Sequence, residues 1–297
     1  MISLAKALSS DRLMRAVSGL TPSQFRSLAG AFKTNLAHFY RTERDIISTR
    51  GRKGILKTHE EKMFYILFYY KVYPTFDLAS LLFNADRSIC CRWAHWYSKA
   101  LELTLGEKLL LPARRASDLK ELLSSMPELK EIFIDGTDRP VRRPKNSERQ
   151  KNHYSGKKKR HSVKNIVITT KKKRIVLLTD TIPGSVHDYT AFKDSSAGDS
   201  LPEDIPIYTD TGFLGIQKDF PHLKIIMPKK KPKGGELSKS DKHKNQCISR
   251  KRIKVENALC GVKRFGIVNA PFRNHKENFV DLAMLLACSL WNFYLTS

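Results

Sequence analysis

The 297-residue chain carries 54 Lys and Arg against 29 Asp and Glu, a formal charge of +25, and is 41% hydrophobic. That apolar content excludes a wholly disordered chain and allows a sizeable core, while the charge points to a polyanionic partner. Two windows hold nearly all of the excess: residues 139–174 contain fifteen basic residues and one acid, and residues 229–264 contain thirteen and three. Cys90, Cys91, Cys247, Cys260 and Cys288 form no C-x-x-C pair and no zinc spacing, which fits a reducing compartment. Asp11, Arg12 and Arg15 interrupt any signal-peptide core, and the apolar stretch 282–295 is too short to span a bilayer and reads as a buried C-terminal helix. A soluble intracellular protein with no membrane partner is expected.

In chain order, residues 1–41 have helical spacing, with Thr21-Pro22 as a helix start, and 42–57 read as a basic linker. Thr58-His-Glu-Glu61 is a capping box opening a helix to about Val72. A second helix is expected over Phe76 to Phe83. A third starts at Asp86, with Ile89, Trp93, Trp96, Ala100 and Leu103 on one face and Arg87, Ser88, Arg92, His95 and Lys99 on the other. A polar-faced last helix after a short turn fits the helix-turn-helix pattern, whose final helix enters a major groove; helical trios are also common in proteins that never touch DNA. A short helix follows at 117–123.

From there the period changes to that of strands. Residues 131–135 are one strand, ending on Asp135 with Gly136 as the point where the chain turns away. Residues 162–170 and 174–179 form a hairpin joined by 169–173. A helix over 188–193, strands at 205–208 and 223–227, and a long helix from about 249 to 265 bearing Glu256 complete the order.

The first and fourth strands end alike, on Asp135-Gly-Thr and Asp210-Thr-Gly, and a β-β-β-α-β core sets those strands side by side. Two carboxylates brought together repel unless a cation neutralises them, and carboxylate-only ligands suit magnesium or manganese rather than zinc. Glu256, on the only long helix after the strands, is the candidate third acid, although a helical Glu among Lys and Arg neighbours is equally a satisfied surface residue.

Four blocks carry a family resemblance. They are Phe133-Ile-Asp135-Gly-Thr-Asp-Arg-Pro140; Tyr154-Ser-Gly-Lys-Lys-Lys-Arg-His-Ser-Val-Lys164; the pair Pro183-Gly-Ser-Val-His-Asp188 and Tyr208-Thr-Asp210-Thr-Gly-Phe213; and Arg252-Ile-Lys-Val-Glu256 through to Phe265. In these the chain resembles the DDE-superfamily transposases of the group shared by small bacterial insertion sequences and Harbinger-type elements. The resemblance implies an α/β, RNase H-like catalytic core with a mixed sheet over 128–297, preceded by an all-α helix-turn-helix domain over 53–110 and an N-terminal segment over 1–52. It implies Asp135, Asp210 and Glu256 as catalytic acids holding two Mg2+ or Mn2+ ions, with Asp188 and His187 in support.

It further implies a homo-oligomer acting on double-stranded DNA, both the terminal inverted repeats of the element and the target. Water attack frees a 3′-hydroxyl, which then attacks a target phosphodiester at the same site. Such a protein is cytoplasmic and nucleoid-associated in a bacterium, nuclear in a eukaryote. The candidate DNA contacts are Arg87, Ser88, Arg92 and His95 on the helical unit, and Lys157, Lys158, Lys159, Arg160, Lys229, Lys230, Lys231, Lys263 and Arg264 in the basic windows. Two other readings stay open: a non-catalytic transposase-derived DNA-binding protein, and a metal-dependent nuclease that does not transpose.

Overall fold

The computed structural model describes residues 2–42 and 54–296; most of the expected basic linker lies outside the described residues. The helices α1 (Leu4–Leu8), α2 (Asp11–Ser18), α3 (Pro22–Thr42), α4 (His59–Val72), α5 (Phe76–Phe83), α6 (Arg87–Glu107) and α7 (Ala116–Ser124) come first. Then follow β1 (Ile132–Pro140), α8 (Ser147–His153), β2 (Tyr154–Ser155), β3 (Arg160–Thr170), β4 (Ile175–Leu178) and β5 (Ile182–Pro183). The remainder is α9 (Asp188–Asp194), β6 (Ile207–Tyr208), α10 (Ile216–Asp219), β7 (Ile225–Ile226), α11 (Lys239–Lys263), α12 (Gly266–Asn269) and α13 (Phe279–Thr296).

These elements form two compact units, one of Met1–Leu111, Lys263–Ala270 and Asn274–Ser297, the other of Pro112–Val262 and Pro271–Arg273. In the first, α4 is the centre. Every residue from Met63 to Tyr70 is buried, as expected of a helix apolar on all sides, and α2, α3, α6 and α12 surround it. Its capping box is complete: Thr58 Oγ1 accepts from the Glu61 amide at 3.1 Å and Glu61 Oε2 accepts from the Thr58 amide at 3.1 Å.

Asn84, left-handed at φ 50°, ends α5, and the Asp86 side chain caps α6 by accepting from the Ser88 amide at 2.7 Å. The buried stripe of α6 is Cys90, Trp93, Ala94, Tyr97, Leu101 and Leu105, rotated from the expected face, and Leu103 is exposed. Polar anchors to α4 set that rotation. The Tyr65 hydroxyl donates to the Cys90 carbonyl at 2.6 Å, and the Tyr70 and Ser98 hydroxyls bond at 3.1 Å.

Two expected DNA contacts are engaged inside this unit. His95 bonds the Asn274 amide at 2.9 Å and packs edge-on against Phe279, and burial pulls its pKa down. The Arg264 guanidinium lies 4.2 Å from the Tyr294 ring centre and 5.8 Å from that of Trp291, and donates to the Gly19 carbonyl at 3.2 Å. Arg87, Ser88 and Arg92 are exposed.

Helix α13, within the stretch expected to form the catalytic core, packs in the helical unit, its apolar residues from Phe279 to Phe293 burying against partners that include α6 and α12. Among the described residues it is the one helix long and apolar enough to cross a membrane, longer than its sequence stretch implied, and 67% of it is buried.

The second unit is built on a mixed sheet of order β2-β3-β1-β6-β7, with β4 and β5 also on β3. Strand β1 is antiparallel to β3 over its whole length and parallel to β6, which is parallel to β7. One face, with Ile132, Ile134, Ile166 and Ile168, packs on Leu119, Phe192, Phe213 and Phe220. This is the mixed-sheet, RNase H-like α/β core that the resemblance implies.

Two boundaries differ from expectation. Strand β1 does not turn at Gly136 but runs on to Pro140. Helix α11 begins ten residues early, at Lys239, where Ser238 Oγ accepts from the Asp241 amide at 3.0 Å; a serine cap needs no apolar period to start a helix.

Replacing Arg264 with alanine removes its contacts with the Phe265, Trp291 and Tyr294 rings and a carbonyl bond and should destabilise the protein by about 2 kcal/mol. Urea denaturation measures this; an unchanged midpoint contradicts the packing role of Arg264.

Candidate active site

Parallel strands place the first two acids. Ile132 pairs with Ile207 and Phe133 with Tyr208 in parallel, and Asp210, two residues past the end of β6, comes near enough to Asp135 to act on its charge. Side chains two apart in a strand share a face, so Glu131, Phe133 and Asp135 point the same way. Phe133 and Tyr208 stack at 5.2 Å on that face.

Helix α11 covers it. Lys254 Nζ lies 5.5 Å over the Phe133 ring and Lys251 Nζ 4.9 Å over the Tyr208 ring. Lys251 also donates to Tyr208 Oη at 2.7 Å and to Glu131 at 2.9 Å, while Lys254 reaches Glu131 at 3.4 Å. Burial pushes the Glu131 pKa up, but Lys251 and Lys254 outweigh it and hold it below the usual range. With the helix so fixed, Arg252 stands 3.6 Å from Asp135 Oδ1.

The opposite face explains the glycine inside β1. A Cβ on Gly136 would lie 2.8 Å from Asp188 Oδ1, and one on Gly212 would lie 3.1 Å from Asp188 Oδ2 and 2.8 Å from Asp210 Oδ1. Asp188, the first residue of α9, thus fits its carboxylate where two glycines have no side chain. Lys164 on β3, almost wholly buried, holds it with an ion pair at 2.7 Å and donates to the Val186 carbonyl at 2.5 Å. Asp138 stands opposite Lys164 in the strand register and has a buried Oδ1 with no hydrogen-bond partner.

The local field is negative at its centre. Burial raises the Asp135 pKa to about 6, with Arg252 opposing and Asp210 and Asp188 adding to the rise. Asp210 itself accepts from the Gly212 amide at 2.8 Å, and Asp135 Oδ1 from the Gly136 amide at 3.0 Å. Asp138 is also pushed up, by burial first and by Asp188, against Lys164, Lys158 and Lys157. Those last two lysines therefore act on the same region as the acids.

Asp135, Asp210 and Asp188 come together. Glu256 does not join them: it is exposed one helical turn beyond Arg252, and among the described residues no three acid, histidine or cysteine side chains are disposed to hold a metal. The oxygen-only Asp135–Asp210 pair, destabilised by its own charge, nonetheless fits a hard divalent cation in donor chemistry.

His187 precedes α9 with an exposed side chain. Lys157, Lys158 and Lys159 are exposed on the turn between β2 and β3, and Arg160 is exposed at the start of β3. Lys230 and Lys231 are exposed, Lys229 pairs with Asp241 at 2.8 Å, and Lys263 is partly buried. Sequence reasoning passed over Arg252, Lys164 and Asp138. The available signals were an arginine four residues before Glu256 and a lysine interrupting the apolar run of β3.

Two outcomes are expected. Gly136→Ala should destabilise the protein by roughly 1–3 kcal/mol, because Asp188 must move and leave Lys164; thermal unfolding with full retention of stability would contradict the close fit. Asp135 titrates near 6 when folded and at an ordinary 3.8 when unfolded, so between those values the folded state binds more protons and stability falls as pH rises. In chelator, Asp135→Asn should therefore stabilise the protein at pH 7, by at most ~3 kcal/mol, and give no gain below pH 4. Equal effects at both pH values in denaturation experiments would contradict this.

Comparison with known proteins agrees with the geometry. Residues 134–292 match the DDE superfamily endonuclease family. A probable transposase for insertion sequence element IS702 from Microchaete diplosiphon is 30% identical over 236 residues, 80% of this chain and 80% of that protein. No solved structure matches. With one aspartate on β1, a second just past the end of the parallel strand β6, and a family match spanning more than half of its length, the chain belongs to the DDE superfamily of endonucleases, among transposases of the insertion-sequence type.

Proposed function

We propose that the protein is a divalent-metal-dependent transposase that cuts the ends of its mobile element and joins the freed 3′ ends to target DNA. The observation that supports this reading is the closeness of Asp135, on β1 beneath α11, to Asp210 just past the parallel strand β6. Asp135, Asp210 and Glu256 would hold Mg2+ or Mn2+. Such ions, when bound, stabilise charge on phosphoryl oxygens and lower the pKa of water.

The chain's own residues do the rest. Asp135 and Asp210 present fixed oxygens from a rigid sheet, where strand pairing limits their freedom. Asp188 supports them from behind Gly136 and Gly212, its charge balanced by Lys164. Glu256 reaches the pair only after a side-chain or helix adjustment on DNA binding, an ordinary feature of catalytic geometry before substrate is bound.

Lys157, Lys158, Lys159 and Arg160 on one side, and Lys230 and Lys231 on the loop before α11, draw in the phosphodiester backbone. Water attacks the scissile phosphorus and the 3′-oxygen leaves with a proton; that hydroxyl then attacks a target phosphorus and displaces another 3′-oxygen. The exposure of Arg87, Ser88 and Arg92 at the start of α6 supports a helical trio whose last helix reads the terminal repeats. The protein acts as a homo-oligomer on the cell's DNA, pairing two element ends.

Asp135→Asn, Asp210→Asn and Glu256→Gln should each reduce magnesium-dependent cleavage of the terminal repeats to background while leaving DNA affinity nearly intact; retained cleavage removes that residue from the site. The separation of Glu256 from the aspartates favours one rival, a DNA-binding protein without catalysis, which absence of cleavage with either metal would support. A nuclease that does not transpose would cut but fail to join precut ends. Replacing both Lys157 and Lys158 with alanine should weaken binding to all sequences and flatten the slope of log affinity against log salt by about 2. An unchanged slope in fluorescence anisotropy would place the DNA path elsewhere.

A further inference from the structure

Lys251 and Lys254 are bonded to Glu131 and Tyr208, so they fix α11 whatever Arg252 does. Arg252 is held differently. Its side chain is 12% exposed, its contact with Asp135 at 3.6 Å is beyond hydrogen-bond length, and its buried Nε has no hydrogen-bond partner among the described residues. Guanidinium groups make their best bonds in parallel pairs with carboxylate or phosphate oxygens. Here the group is kept beside Asp135 by the field of the clustered carboxylates rather than by such bonds.

We propose that Arg252 is the internal counter-cation of the metal-free site, competing with the divalent cation for Asp135 and leaving Asp135 for a DNA phosphate, so that DNA and metal bind cooperatively. The inference rests on the reading of Asp135 and Asp210 as metal ligands. A cation beside Asp135 repels the guanidinium, and a phosphate near α11 offers it the paired bonds it lacks. Each event removes the obstacle to the other, and linkage makes the effect reciprocal. A guanidinium that served only to orient Asp135 would act in the opposite sense, since its loss would weaken the metal site.

The test is Mn2+ binding to the full-length protein, followed by electron paramagnetic resonance. It is run with and without a short DNA duplex of arbitrary sequence and corrected for Mn2+ on the DNA alone. In the unaltered protein, DNA should tighten Mn2+ binding roughly five- to tenfold. Arg252→Gln should bind Mn2+ more tightly than the unaltered protein without DNA, by a similar factor, and lose most of the further gain on adding DNA. Arg252→Lys, which keeps the charge but not the paired bonds, should bind Mn2+ like the unaltered protein without DNA and keep only part of the gain on adding DNA.

Equal or weaker Mn2+ binding by Arg252→Gln, or a DNA-induced gain that persists in it, overturns the inference. Asp135→Asn separates the two levels of the argument. If it leaves Mn2+ binding unchanged, the metal-site reading itself fails; if it removes the binding while Arg252→Gln changes nothing, only the role of Arg252 fails.

Discussion

Mutual repulsion among Asp135, Asp188 and Asp210 is the constraint around which the catalytic unit is arranged. Three carboxylates in a partly buried space cannot all be ionised without compensation. The chain supplies two cations from two directions. Lys164 comes from the strand next to β1 and pairs with Asp188, while Arg252 comes from the helix above and approaches Asp135. The pairing with Asp188 is short and buried, and that with Asp135 is long and incomplete. The asymmetry separates a carboxylate fully matched by its own cation from one that is not.

The fold makes this arrangement possible by fixing both sides of one strand. On one face, Glu131, Phe133 and Asp135 meet a helix whose lysines clasp the ring pair Phe133–Tyr208. On the other, Ile132 and Ile134 enter the apolar core, and Gly136 next in line leaves room for Asp188. A single strand therefore carries core, support and the partly buried carboxylate Asp135 in succession. Strand β1 is bonded to β3 along its length, Asp135 included, and to β6 at Ile132 and Phe133, so displacements of Asp135 are resisted by its ladder to β3 and by the strand anchored just before it.

Much of this was legible in the sequence where the signal was local. The Thr58–Glu61 capping box and the bounds of α5 follow from side chains acting on neighbouring backbone. The adjacency of Asp135 and Asp210 was legible because topology rules limit how five strands can be ordered. Gly136 was misread as a turn because its reason is distant: the neighbour that excludes a side chain there is Asp188. Arg252 and Lys164 lay in windows full of lysine and arginine, where nothing local marks one cation as buried and another as free. The partner of α13 was hidden for a similar reason, since an all-round apolar helix says that it is buried but not against what.

The most direct measurement is to load the protein with Fe2+ in place of Mg2+ and map the peptide bonds cut by locally generated hydroxyl radicals. If Asp135 and Asp210 form one cation site beneath α11, cleavage should fall together at residues 135–136, at 210–212 and on α11 near 252–256, and disappear in Asp210→Asn. Cleavage confined to other segments, or unchanged in that variant, would contradict the account.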